Sequence, residues 1–272
     1  MRIIDCSADR HLECAVQAVP QNGGPALGVA AEHRMEIIIN ERPAMRVVCT
    51  PEHLGELVLG RLLTEGLIGG PGDIEEIYIC EMGTRARVLL RKEAAAQLTG
   101  AESVDIGTCC TDNRTLLAAR AGMPHVRPIV WERDWLLRAA ERMRREEPLY
   151  GATHAAHGCY LAMGAEILCC REDIGRHNAL DKAVGWACAQ GVDLRKCLLF
   201  TTGRMPSDMV SKAIRSGVPL LASKTYPSDL GIEMARQSGL TLITLRPNGD
   251  FCVWNDGTEC DPSENQLQEG ER

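Results

Sequence analysis

Aromatic side chains are scarce in this chain: two Phe, four Trp and four Tyr amount to 4% of 272 residues. Aliphatic and sulfur side chains must therefore fill the core. Basic charge is also short, with 30 Lys and Arg against 37 Asp and Glu for a net charge of −7. That balance speaks against non-specific binding to nucleic acid or to acidic membranes, so any anion site has to be local. No apolar run approaches the length of a membrane span, and no secretory apolar segment follows Met1. The expected compartment is the reducing cytoplasm. There is no P-loop, no Gly-x-Gly-x-x-Gly fingerprint, no Gly-x-Ser-x-Gly elbow and no fixed-period repeat.

Thirteen cysteines are present, but scattered. No Cys or His pair at metal-ligand spacing joins a second such pair, and His154 is followed by Ala155-Ala156 rather than the His-x-Glu of zinc deaminases. Catalytic zinc is not expected. Most of the thiols read as small buried hydrophobes, at least one of Cys169 and Cys170 at the end of an apolar run among them. Cys109-Cys110 differs, since Asp105 to Asn113 is polar, turn-rich and without apolar periodicity. Adjacent Cα atoms lie about 3.8 Å apart, below the roughly 4.4 Å usual for a disulfide, so a structural bridge between these neighbours is disfavoured. A mobile thiolate that takes on and hands over sulfur is one reading of the pair; an inert surface pair is the other.

The length points to two domains, 1–130 and 131–272. In the first, Met35 to Asn40 and Ala44 to Cys49 predict a hairpin, and Ile74 to Cys80 with Arg85 to Arg91 a second, turning at Met82-Gly83-Thr84. Ile77, Ile79, Val88 and Leu90 are the inward candidates. Between the hairpins, Thr50-Pro51 reads as a helix start, with Leu54, Leu57, Val58, Arg61 and Leu62 on a helical period. This half is α+β. An Arg/Glu-rich helix from Trp131 to Glu147 marks the join and stops before Pro148. Beyond it strands alternate with helices: Gly164 to Cys170, Cys197 to Thr201, Ser207-capped Asp208 to Arg215, Val218 to Ser223, Ser228-capped Asp229 to Ser238, and Leu240 to Leu245. Gly217 and Gly239 fall where helix-ending glycines belong. This half is an α/β layer arrangement.

The densest chemistry lies in Arg171 to Lys182, where Arg171, Glu172, Asp173, Arg176, Asp181 and Lys182 surround a glycine and His177 at a strand-to-helix junction. Asn178 reads as the N-cap, with Asp181 three residues on. Such a junction suits a phosphate; the alternative is a solvated loop closed by internal Arg to Asp/Glu pairs. With Gly151 to Ala156 and Thr201 to Pro206 it could line one pocket supplied by Arg171, Arg176, Arg204, His154 and His177. A structural role for His154, bonded to a backbone carbonyl, stays open.

Assembled, these segments resemble the FdhD family of formate dehydrogenase accessory sulfurtransferases. The resemblance runs through LGRLLTEGLI, GATHAA, REDIGRHNALDK, TTGRMPSDMVSKAIRSGVPLLAS and LTLITLRPNGDFCVWN. It implies a small α+β N-terminal domain followed by a cytidine deaminase-like three-layer α/β domain without zinc, in a cytoplasmic homodimer. It also implies that Cys109 or Cys110 receives a persulfide from a cysteine desulfurase. The sulfur would then pass to the molybdenum or tungsten of a bis-molybdopterin guanine dinucleotide cofactor for formate dehydrogenase. By the same resemblance, Leu245, Arg246, Pro247, Asn248, Gly249 and Asp250 form the cofactor segment, and the Arg/His pocket suits its guanine nucleotide ends. Many members carry Cys-x-x-Cys where this chain has the vicinal pair, so the thiol that matches the carrier is ambiguous by one residue. A cofactor chaperone that carries no sulfur is the alternative function, and a nucleotide deaminase a third that lacks metal ligands at the required spacing.

Overall fold

The computed structural model describes residues 1–7, 17–18, 27–95, 104–106, 122–145, 148–246 and 249–259. The first half contains β1 (Arg2–Asp5), β2 (Gln17–Ala18), β3 (Leu27–Gly28), β4 (His33–Ile39), β5 (Arg42–Cys49), α1 (Leu54–Thr64), β6 (Ile74–Ile79), β7 (Arg85–Leu90), α2 (Lys92–Ala95) and β8 (Val104–Ile106). The second contains α3 (Arg133–Arg145), α4 (Pro148–Thr153), β9 (His157–Met163), β10 (Glu166–Asp173), α5 (Arg176–Gln190), β11 (Leu198–Thr201), α6 (Ser207–Ser216), β12 (Leu220–Ser223), α7 (Asp229–Ser238), β13 (Thr241–Leu245) and β14 (Phe251–Asn255). Two six-stranded mixed sheets result, ordered β1-β6-β7-β4-β5-β8 and β10-β9-β11-β12-β13-β14, and β2 pairs with β3 alone. The expectation of an α/β (α+β) chain holds.

Side-chain period separates the two sheets. On β7, Ala86, Val88 and Leu90 are buried while Arg85, Arg87 and Leu89 are exposed, the alternation of a sheet with one covered face. Ile77, Ile79, Val88 and Leu90 all point inward, as expected. By contrast β11, β12 and β13 are buried at every residue, because helices cover both faces. On one face Tyr160, Phe200, Leu220 and Ile243 pack against Leu136, Ala139 and Ala140 of α3. On the other, Leu161, Leu199, Leu221 and Leu242 join a core shared by α5, α6 and α1 and by the inner face of the first sheet.

The α1–α5 contact draws the halves together. A Cβ at Gly60 would overlap the Asp181 carbonyl, and one at Gly185 would overlap the Glu56 carbonyl, so the backbones touch through paired glycines. Charge is buried at the same crossing. Arg61 Nε lies 2.7 Å from Asp181 Oδ2, and Lys212 Nζ lies 2.6 Å from Glu65 and 3.1 Å from Asp181. Lys182 Nζ lies 2.7 Å from Asp173 Oδ2. Arg61, Lys182 and Lys212 thus balance Asp173, Asp181 and Glu65. Burial opposes the Arg61 charge, and Asp181 and Glu65 outweigh that opposition, so its pKa rises.

This cluster explains where local sequence rules fail. Thr50-Pro51 does not start α1. The Thr50 hydroxyl donates to Asp173 Oδ2 at 2.9 Å and accepts from Lys182 Nζ at 2.6 Å, and the helix begins at Leu54 after His53 in a left-handed conformation. Asn178 is not an N-cap either. It lies inside α5, donates to Val48 O and Asp173 Oδ1, and accepts from Arg61 Nη2 at 2.6 Å. Gly175 takes the cap position, its N–H bonded to Asp173 Oδ1 at 2.9 Å. Gly151 to Thr153 is the end of α4 rather than a loop, and Gly164 is in the β9–β10 turn rather than in a strand. Pro206, not Ser207, caps α6. Ser228 does cap α7 and accepts from Gly231 N at 3.1 Å, and Gly217 and Gly239 end their helices with positive φ.

The crossing predicts two sensitivities. Gly185→Ala should cost about 3 kcal/mol or more by urea denaturation because the helices must separate. Gly72→Ala, whose Cβ would meet nothing within 4 Å, should shift the midpoint little. Lys212→Met, which leaves Asp181 and Glu65 in excess, should cost about 3–5 kcal/mol; curves for Gly185→Ala and Lys212→Met equal to the parent's would refute the account.

Candidate functional site

β11, β12 and β13 are mutually parallel, and β9 is antiparallel to both β10 and β11. The C-terminal ends of β10, β11, β12 and β13 (Asp173, Thr201, Ser223, Leu245) therefore line one edge, and α5, α6 and α7 start from it. In an open α/β sheet ligands gather along this edge, where helix starts present unpaired N–H groups.

Arg176 opens α5 at 7% exposure and His177 follows at 5%. Asp208, in the first turn of α6, holds both: its Oδ2 lies 2.8 Å from His177 Nε2 and 3.9 Å from Arg176 Nη2. The Arg176 stem packs where Gly203 has no side chain, since a Cβ there would sit 2.7 Å from Arg176 Cβ. Gly203 is fixed in turn, accepting at its carbonyl from Ser223 Oγ and Thr225 Oγ1, both at 2.7 Å. His157 starts β9 from the same edge, its Nδ1 3.4 Å from Thr202 Oγ1. Burial lowers its pKa, and Arg176, Lys224 and His177 lower it further. His177 is also held below the usual histidine range by burial, which outweighs its bond to Asp208. Burial pushes the Asp208 carboxyl up, but the His177 bond and charge prevail and its pKa falls.

The edge is rimmed by exposed cations. Arg204, Lys224 and Arg246 are exposed there. His154, exposed at the end of α4 with φ 53°, meets the Tyr150 ring edge-on at 5.4 Å, and the same ring lies 5.5 Å from Lys224 Nζ. Arg246 N donates to Asp250 O at 2.8 Å, closing a turn in which Gly249 N donates to Arg246 O at 2.9 Å. Arg246 Nη2 donates to Cys252 Sγ at 3.0 Å, and Leu245 is buried in the core below. Arg176, His177, Arg204, His154 and Arg246 thus share one end of the second sheet. Arg171 stands apart: its Nε and Nη2 donate to Glu56 at 2.6 and 2.9 Å, and its guanidinium lies over Trp186. Cys109, Cys110, Pro247 and Asn248 lie outside the described residues.

His157, Asp208 and Lys224 are the site-edge residues that sequence reading missed. His157 opens a strand of small residues, HGCYLAM, whose weak β signal concealed it. Asp208 was legible only as a helix-start residue. The set suits an oxygen anion: a buried guanidinium, forked exposed guanidinia, and the imidazoles of His157 and His177, whose charged form burial disfavours. Among the described residues no group of three or more His, Cys, Asp or Glu side chains is placed to hold a metal.

Comparison with known proteins agrees with this architecture. Residues 30–259 match the FdhD/NarQ family. The chain belongs to that family. FdhD/NarQ relatives include the sulfur carrier protein FdhD of Listeria innocua, 31% identical over 79% of this chain and 84% of the relative. Those of Bacillus subtilis and Bordetella parapertussis are 32% and 31% identical over 83% and 93% of this chain, and 87% and 97% of theirs. A crystal structure described as a formate dehydrogenase accessory protein from Desulfotalea psychrophila superposes with a TM-score of 0.67 at 28% identity, covering 88% of this chain and 94% of that one. No helix among the described residues is long and apolar enough to cross a membrane.

The depressed histidines give the site a pH signature. Near their ordinary pKa the unfolded chain binds more protons than the native one, so stability rises with pH through this window and falls as pH drops below about 6.5. His157→Gln and His177→Gln should each flatten the decline in denaturation midpoint between pH 7 and 5; an unchanged slope in both would show that the histidines do not titrate as described.

Proposed function

We propose that this chain is a cytoplasmic sulfur carrier for formate dehydrogenase maturation, acting as a homodimer. Cys109 or Cys110 accepts sulfur from a cysteine desulfurase and passes it to the molybdenum or tungsten of a bis-molybdopterin guanine dinucleotide cofactor, the cargo of the reaction. The observation that carries this reading is membership of a family whose curated relatives are named sulfur carriers across most of this chain's length. The cationic strand-end edge supports the cargo, because phosphates of a dinucleotide match Arg176, Arg204, Lys224 and Arg246 in charge and donor geometry.

In the transfer, the carrier thiolate attacks the outer sulfur of the desulfurase persulfide. A new S–S bond forms, the donor S–S bond breaks, and the donor cysteine leaves as thiolate. The vicinal pair closes on itself only with strain, so delivery runs from a single thiol.

After incubation with a cysteine desulfurase and cysteine, peptide mapping of residues 105–114 should show a dithiothreitol-sensitive gain of about one sulfur atom on one of the two thiols. The double variant Cys109→Ala/Cys110→Ala should lose sulfur transfer while cofactor affinity stays within a few fold. Unaltered transfer in that variant would overturn the assignment; no sulfur gain in the parent, with guanine nucleotide binding intact, would make the protein a cofactor chaperone.

A further inference from the structure

A second pair of thiols stands on the first sheet, away from the strand-end site. Cys80 directly follows β6 at the corner of the β6–β7 hairpin. Its N–H donates to Arg85 O at 3.0 Å, its carbonyl accepts from Gly83 N at 2.8 Å, and its Sγ lies 3.7 Å from Thr84 Oγ1. Burial pushes the Cys80 thiol up, but the Thr84 hydroxyl and the backbone of the hairpin turn favour its thiolate and its pKa falls.

Cys6 comes alongside through β1. β1 pairs in parallel with β6 as far as Asp5 opposite Ile79, and Cys6 N donates to Ile79 O at 3.1 Å, so the next step of the ladder sets Cys6 beside Cys80. Neighbouring strands lie about 4.8 Å apart, within the Cα separation that a disulfide spans. Arg2 pairs with Glu76 and Ile4 stands opposite Tyr78, whose ring is exposed, so the period of two puts Cys6 and Cys80 on that same outer face of the sheet. Both cysteines are half-exposed.

We propose that Cys80 and Cys6 form a peroxide-oxidisable dithiol on the outer face of the first sheet, with Cys80 the attacking thiol and Cys6 the resolving one. The Cys80 thiolate attacks one oxygen of hydrogen peroxide, the O–O bond breaks, and hydroxide leaves to give a sulfenic acid. Cys6 sulfur then displaces that oxygen, which departs as water with the Cys6 proton, and an S–S bond joins β1 to β6. Peroxide is reduced by two electrons and the two thiols are oxidised to one disulfide. Four other described thiols differ in setting. Burial pushes Cys49 and Cys169 up to about 12 and Cys188 and Cys197 up to about 11, whereas the hairpin donors outweigh burial at Cys80 and lower its pKa. The inference is independent of the sulfur-carrier reading.

The test uses the full chain with Cys109→Ala/Cys110→Ala, so that the proposed carrier thiols cannot contribute. Hydrogen peroxide at pH 7 should yield a dithiothreitol-reversible peptide linking Cys6 to Cys80 ahead of any other link. Cys6→Ser should leave Cys80 as a dimedone-reactive sulfenic acid, and Thr84→Val should slow its formation severalfold, with recovery in Thr84→Ser. In the untreated parent, Cys80 should react with iodoacetamide at least about tenfold faster than Cys188. A Cys80 that stays reduced while peroxide oxidises Cys252 or Cys170, or that is alkylated no faster than Cys188, would overturn the proposal.

Discussion

The close passage of α1 over α5 is the constraint on which the rest of the structure depends. Gly60 and Gly185 let the two backbones touch, and that proximity leaves no room for water around the charges of the crossing. Arg61, Asp181 and Lys182 are fully buried. Unpaired charges in such a place would be prohibitive, so the cluster is tolerable only as a neutral and heavily bonded set. Thr50, Thr64 and Asn178 contribute the extra hydrogen bonds that a bare ion pair would lack. A hydrophobic crossing would hold two helices together as firmly, but it would not fix the rotation of α5 about its axis through so many directional contacts.

That rotation matters because α5 begins at the strand-end edge. Asp173 joins the two regions: one carboxylate oxygen faces Thr50 and Lys182 in the buried cluster, and the other receives Gly175 N and Asn178 at the start of α5. Arg176 and His177 follow within one turn, so their positions are set from the interior. Asp208 then clamps them from α6. The result is a buried inner wall with exposed cations at its rim, an arrangement whose charge and donor geometry suit an oxygen anion.

The thiols show how environment sorts one residue type into several roles. Cys49, Cys159 and Cys169 are core side chains whose burial disfavours the thiolate. Cys252 meets a guanidinium, and Cys80 meets the Thr84 hydroxyl at a hairpin turn, where its pKa is lowered. A count of cysteines carries none of these distinctions.

The sequence by itself determined what depends on near neighbours. Alternation placed Val88 and Leu90 inward, Ser228 and Gly239 bounded α7, and the grouped motifs carry the resemblance to the family. These features rest on backbone sterics and side-chain period, which act over a few residues. Only the tertiary structure decided the fate of the charged run from Arg171 to Lys182. Arg171 turned to Glu56, Asp173 and Lys182 to Thr50, and Asp181 to Arg61, all on or beside α1 more than a hundred positions away. Asn178 and Thr50 look like caps by their neighbours, yet a buried charge at hydrogen-bond distance outbids the local N–H, because leaving that charge unsatisfied costs more than forgoing a cap. Internal pairing did win over an open anion site for much of the run, but through burial rather than at a solvated surface, and sequence alone held no measure of how deeply those charges would be enclosed.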